Sequence, residues 1–220
     1  MNTVSRVHYD ASYFAWQRAG GVLSAVLDRW EFEQFIGRDD AVLDFGCGGG
    51  YLLAALPCGA RYGIELNLEA RREAMKVAKV YADIDELPHD VLFDAIVSHH
   101  CLEHVDHPLE VLQKLRSRLK PGGKMVLVVP SESWVRQKVY RENDINRHLY
   151  AWTPLSLGNL FAHAGFRVER VDLLCHRWLP KVHRIYPLVS LPVFRLLCKI
   201  WAWLTRIRLI RIVASRQATD

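Results

Sequence analysis

The stretch Val42-Leu43-Asp44-Phe45-Gly46-Cys47-Gly48-Gly49-Gly50-Tyr51 decides the fold class. Residues 41–45 form a short apolar run closed by glycines, the pattern of a buried strand, and residues 51–56 then open a helix. Glycine allows the tight turn between them and lets a ligand come close to the backbone. A dinucleotide-binding turn needs G-x-G-x-x-G, with a small third position where helix meets strand. Here Tyr51 stands at that position, and the glycines run G-x-G-x-G after Asp44. That spacing suits a ligand without a pyrophosphate, and the absence of G-K-[ST] excludes a P-loop.

Outward from the loop, the chain alternates between strands and helices. Strands are expected at 61–66, 79–82, 93–98, 124–129, 166–173 and 207–214. Helices are expected at 68–78, at 108–119 up to Pro121-Gly122-Gly123, and from Thr153-Pro154 to Gly165, with one or two more within 10–36. Such alternation means an α/β fold: a doubly wound, mostly parallel seven-stranded sheet whose last strand is antiparallel. Open sheets of this kind bind ligands at the carboxyl ends of their strands, where the glycine loop falls. Glu65 ends the second strand, placed to accept hydrogen bonds from both hydroxyls of a ribose.

The motifs D-F-G-C-G-G-G, G-I-E-L-N, F-D-A-I-V-S-H-H-C-L-E-H-V and L-K-P-G-G-K-M-V-L-V-V-P resemble those of the class I S-adenosylmethionine-dependent methyltransferases, over about residues 41–175. The likeness leans to the branch that acts on small molecules and lipid or sugar precursors. It implies a Rossmann-like fold with S-adenosylmethionine as cofactor. It also implies that Asp44, Gly46, Cys47 and Gly48 line the methionine portion. Glu65, with Leu66 beside it, would hold the ribose. Asp83 would face the adenine amino group and Ile84 pack on the ring, while Ser98 and His99 would end the fourth strand under the sulfonium. The tetrapeptide N-P-P-Y or D-P-P-Y of base-modifying amino-methyltransferases does not follow the fourth strand, so no nucleic acid is expected as partner.

His99, His100, His104 and His107 crowd one stretch with Cys101 and Glu103. Methyl transfer to oxygen or nitrogen requires the acceptor to lose a proton, and histidine titrates in the useful range. His100 and His104 are candidate bases, set against a bland reading in which His104 orients a loop. A metal is not expected, because residues 99–104 turn rather than continue a helix. A second polar stretch, 143–152, follows the fifth strand. Asn146, Arg147 and His148 suit a polar or anionic acceptor, with His148 a third candidate base, and Tyr150 and Trp152 suit a ring. Residues 8–17 could cover the cofactor or simply pack.

Length, charge and cysteines bound the rest. The 220 residues fit a single methyltransferase domain: an N-terminal helical cover (1–40), a cofactor core (41–175), a basic-aromatic insertion (176–206), and a last strand and tail (207–220). Five scattered cysteines without a CxxC pair, and no signal-peptide pattern, fit a cytoplasmic protein. The net charge of +5 is uneven: residues 173–219 hold nine Lys or Arg and no Asp or Glu. The insertion puts Arg195, Lys199 and Arg206 on one helical face, with Val193, Leu197, Ile200, Trp201 and Leu204 around the remainder. It is too short in apolar run to span a bilayer, so peripheral contact with the inner face of the membrane, a lipid-linked substrate or a partner chain is the expectation. Together these features give methyl transfer, first to oxygen, on a small or lipid-linked acceptor. The rivals are a non-catalytic cofactor-binding or membrane-docking protein and a dinucleotide-dependent oxidoreductase. Oligomeric state is not legible.

Overall fold

The computed structural model describes residues 11–131, 139–142, 144 and 146–218. Residues 8–10, 143 and 145, which belong to stretches singled out above, lie outside that set. Seven strands form one sheet: β1 (Ala41–Phe45), β2 (Ala60–Ile64), β3 (Lys79–Tyr81), β4 (Phe93–His99), β5 (Leu119–Ser131), β6 (Arg167–Leu174) and β7 (Arg208–Ser215). Their spatial order is β3-β2-β1-β4-β5-β7-β6. The first five run parallel, and β7 lies antiparallel between β5 and β6. This is the expected Rossmann-like methyltransferase arrangement. The order reverses at β1, and the glycine loop leaves the carboxyl end of that strand.

Period-two alternation builds a core on each face of the sheet. In β5, Met125, Leu127 and Val129 join Leu43, Ile96, Phe161 and Ile212 on one side. Val126 and Val128 face the other way, with Val42, Val97, Val213, Phe32 and Leu53. Because both faces are covered, the central strands read as continuous apolar runs.

The helices are α1 (Ala11–Leu27), α2 (Tyr51–Ala55), α3 (Leu68–Ala74), α4 (Pro108–Ser117), α5 (Pro154–His163), α6 (Val182–Ile185) and α7 (Leu191–Thr205). Asn67 caps α3 by accepting the Glu69 and Ala70 amides. Thr153 caps α5 in a reciprocal capping box with Ser156.

Several boundaries differ from the sequence reading. The helix expected to reach residue 119 ends at Ser117, and β5 starts at Leu119 rather than 124. Leu119 already pairs with Phe93, whose amide bonds the Arg118 carbonyl; Pro121-Gly122-Gly123 then forms an irregularity inside the strand. The strand expected over 61–66 stops at Ile64, although the Glu65 amide still donates to the Tyr81 carbonyl of β3.

The insertion does fall between the last two strands, but its faces differ from those expected. The buried stripe of α7 is Phe194, Cys198 and Ala202, and the first two pack with Leu27 of α1. Arg195 does not join Lys199 and Arg206 in solvent. Its guanidinium lies 5.9 Å from the Trp30 ring centroid, because α7 packs across the end of α1.

Candidate functional site

The glycine loop is shaped by backbone that side chains would obstruct. Gly46, Gly48 and Gly50 have φ of 81°, 52° and 77°. A Cβ at Gly46 would stand 2.4 Å from Cys101 Sγ. The loop and β2 are tied by Glu65, which accepts the Gly48 amide at Oε2 and the Asn67 amide at Oε1, both at 2.8 Å. Burial pushes the Glu65 carboxyl up, against the lowering effect of those amides. Asp44 is buried at the end of β1, and its Oδ1 has no hydrogen-bond partner. Burial first, then the charge of Glu65, push its carboxyl up to about 8.

Two cavities meet at this loop. One, of about 650 Å³, is lined by Glu65, Leu66, Asp83, Ile84, Cys101 and His104 among others. The second, of about 520 Å³, runs between α1, the loop and the segment after β6, along Asp44, Cys47, Gly48, Asp28, His176 and Trp178. They share Gly46, His99 and His100. The Glu65 and Asp44 carboxylates, the loop backbone and the Ile84 side chain thus line two adjoining cavities. The unsatisfied, buried Asp44 oxygen and a cradle that a single Cβ would fill fit S-adenosylmethionine.

Nine of the ten expected cofactor residues line one or other cavity: Asp44, Gly46, Cys47, Gly48, Glu65, Leu66, Asp83, Ile84 and His99. Ser98 does not. Its side chain is buried and its hydroxyl donates to the Phe45 carbonyl at 2.9 Å, stitching β4 to β1. Alternation along β4 sends residue 98 into the sheet interior and residue 99 to the cavity. Asp83 is exposed and its Oδ1 accepts the Asp85 amide, which fixes the turn after β3.

The three candidate bases gather round one carboxylate. His100, at φ 53°, brings Nδ1 within 3.4 Å of Glu103 Oε1. His104 and His148 meet edge to face, with ring centroids 4.8 Å apart. Ligand atoms of Glu103, His104 and His148 lie within 4.8 Å of one another, a spacing that could hold a metal ion. Burial pulls the His104 imidazole down. Glu103 is fully buried; burial pushes its carboxyl up, but His100 and then His104 outweigh that and hold it below the usual carboxylate range. His148 reaches this group because the Leu149 and Tyr150 amides both donate to the Glu103 carbonyl.

Tyr150 and Trp152 differ from their expected role at an acceptor ring. They stack on each other at 5.3 Å, and Trp152 is buried in the main core. Their apolar area serves packing, and the Tyr150 hydroxyl donates to the Asp106 carbonyl.

A buried polar group went unrecognised in the sequence. Asp28 accepts from Ser24 at 2.6 Å and Trp178 Nε1 at 3.0 Å, and lies 3.2 Å from His176 Nε2. Burial pushes its carboxyl up, but His176, His99, Ser24 and Trp178 together hold it low. Glu31, also buried, has neither oxygen hydrogen-bonded; His99 Nε2 is 3.5 Å away. Burial and the charge of Asp28 push the Glu31 carboxyl well up. Burial likewise drives His99 down to about 3, so it is neutral. No local pattern announces this group, since 148 residues separate Asp28 from His176.

Residues 15–171 match the family model of methyltransferase domains. A ubiquinone biosynthesis O-methyltransferase from Xanthomonas campestris pv. campestris is 34% identical over 101 residues, 39% of this chain and 41% of that one. The chain therefore spans about two-fifths of the length of that curated relative. Among solved structures, a chain of the complex between the Haloferax volcanii Trm112 methyltransferase activator and a methyltransferase has a TM-score of 0.66 and 20% identity. The likeness covers 93% of this chain and 97% of that one. A Haemonchus contortus phosphoethanolamine N-methyltransferase, solved with S-adenosylhomocysteine, has a TM-score of 0.59 and 15% identity, covering 86% and 52%. At these identities the structural likenesses show the fold.

Proposed function

The chain belongs to the methyltransferase-domain family, with S-adenosylmethionine as its cofactor, and we propose that it methylates an oxygen of a small or lipid-linked acceptor. One observation carries the reading: nine of the ten expected cofactor residues line the two cavities, which meet at Gly46, His99 and His100, so a cofactor spanning them would pass beside His100.

Glu65 would hold the ribose, Ile84 the adenine ring and Asp44 the methionine amino group. Bound in that way, S-adenosylmethionine supplies an electrophilic methyl on a sulfonium. This chain's residues then act mainly by orientation, aligning an acceptor oxygen with that methyl. His100, the more solvent-exposed of the shared histidines, receives the acceptor proton. The name of the curated relatives supports oxygen as the acceptor atom.

A lipid-linked acceptor is supported by α7. Its outer face exposes Val193, Leu196, Ile200, Trp203 and Leu204. Lys199 and Arg206 are exposed beside them, within the segment that carries no acidic residue before Asp220. Aliphatics with tryptophan and cations suit the surface of an anionic membrane, with the protein at its inner face. Among the described residues no helix is long and apolar enough to cross a membrane.

The rival dinucleotide reading is disfavoured by Tyr51, which fills the helix entrance and whose hydroxyl accepts from Arg18 at 3.3 Å. Calorimetry with S-adenosylmethionine and with NAD tests the cofactor, followed by methyl transfer to phenolic and lipid-linked sugar acceptors. Binding of NAD alone would overturn the reading, whereas tight S-adenosylmethionine binding without turnover on any acceptor would favour the non-catalytic rival.

A further inference from the structure

We propose that Glu103, His104 and His148, with His100 at their edge, form a site for a divalent cation of the zinc or cobalt type on the acceptor side of the cofactor cavity. The inference deepens the proposed methyl transfer and rests on that reading for its catalytic meaning, though not for its geometry.

Three observations converge. The ligand atoms of Glu103, His104 and His148 already lie within one coordination sphere's reach. Both Glu103 carboxylate oxygens are buried without a hydrogen bond, a costly arrangement for an ionised group unless a positive charge compensates it. His100 Nδ1 stands 3.4 Å from Oε1, outside good hydrogen-bond geometry. Finally, two independent segments deliver the ligands. The turn after β4 carries residues 100–104, and the Leu149 and Tyr150 bonds to the Glu103 carbonyl clamp residue 148 against it.

Imidazole nitrogens with one carboxylate select a borderline cation over magnesium or calcium, which prefer all-oxygen sets. His100 and His104 also line the cofactor cavity, so an ion there would face the acceptor. An acceptor hydroxyl bound to it would release its proton to His100 more readily, leaving an oxygen ready to take the methyl. In that event His104 and His148 serve as ligands rather than bases.

The test is direct titration of the full chain with Co²⁺ and Zn²⁺, read by the visible absorption of cobalt and by metal content after dialysis. We expect one ion per chain. In His148→Ala the affinity should fall by at least the ~10-fold that loss of even an outer partner costs. His176→Ala, in the separate Asp28 group, should leave it unchanged. His148→Gln is the second variant should His148→Ala not fold, as judged by circular dichroism. S-adenosylmethionine affinity, measured on the same samples, separates the two readings: metal binding with no cofactor binding would sink the methyl-transfer reading alone. Failure of the wild type to take up either ion would overturn the cation site. So would loss of the ion in His176→Ala with retention in both His148 variants.

Discussion

Glu65 Oε2 accepts the Gly48 amide at 2.8 Å, so the carboxylate at the end of β2 also holds the glycine loop that follows β1. One side chain therefore sets the loop and offers itself to the ribose. In Glu65→Ala both contributions vanish. Hydrogen bonds to a charged group contribute about 1.5–3 kcal/mol each. The expected result is S-adenosylmethionine binding weaker by roughly 10- to 100-fold, measured by calorimetry. Unchanged affinity would place the ribose elsewhere.

Asp44 makes cofactor binding depend on pH. Its folded value of about 8 lies above the ordinary 3.8. The folded state thus keeps a proton that the unfolded chain has lost. This contribution to stability is full below about pH 4 and is lost as pH rises towards about 8. A cationic amino group beside Asp44 favours the ionised form, so affinity should rise over the same window and binding should release a proton. Calorimetry in two buffers of different ionisation enthalpy reads that proton. Asp44→Asn should flatten the pH profile as well as weaken binding.

Gly46→Ala meets two obstacles at once. The residue sits at φ 81°, and the new Cβ would be 2.4 Å from Cys101 Sγ. Backbone strain alone costs about 1–3 kcal/mol. Thermal unfolding should show a lower Tm, with cofactor binding lost. Adding Cys101→Ala should recover only part of the stability, because it removes the Sγ contact but leaves both the strain and the residue 101 Cβ, 2.7 Å from the new one. Full recovery would show that the left-handed backbone is not what the loop needs.

Asp28 and Glu31 should respond oppositely to amide substitution. Asp28 is held ionised by His176, Ser24 and Trp178, whereas burial favours the protonated form of Glu31. Asp28→Asn loses charge-assisted bonds and should cost about 1.5–3 kcal/mol in denaturant unfolding. Glu31→Gln removes a carboxyl whose ionisation burial already opposes and should stay within about 1 kcal/mol of wild type. Its carbonyl still accepts from Arg211.

On α7, Trp203 is 67% exposed and touches little of the fold, so Trp203→Ala should leave Tm unchanged. Flotation with anionic vesicles should nevertheless drop. Lys199→Glu with Arg206→Glu should weaken it further, at about 1 kcal/mol per charge, and added salt should do the same in wild type. Equal flotation of all these proteins, or none with wild type, would remove the membrane from the proposal.

Much of this was legible in the sequence because it is written locally. The apolar runs at 41–45, 93–98 and 124–129 mark strands covered on both faces, and the glycines after Asp44 mark a tight turn that lets a ligand approach the backbone. Glu65 follows from strand end and spacing. Boundaries set by pairing were not local: Leu119 becomes strand because it meets Phe93, although its own sequence continues a helix. Ser98 and Trp152 looked like site residues and serve packing, because only the register of β4 and the fold of the loop after β5 decide which way each points. The tertiary structure alone brings Asp28 to His176, and His148 to Glu103. Those contacts join segments far apart in the chain. A buried charge is stabilised by whichever groups surround it in space, and sequence spacing carries no record of them.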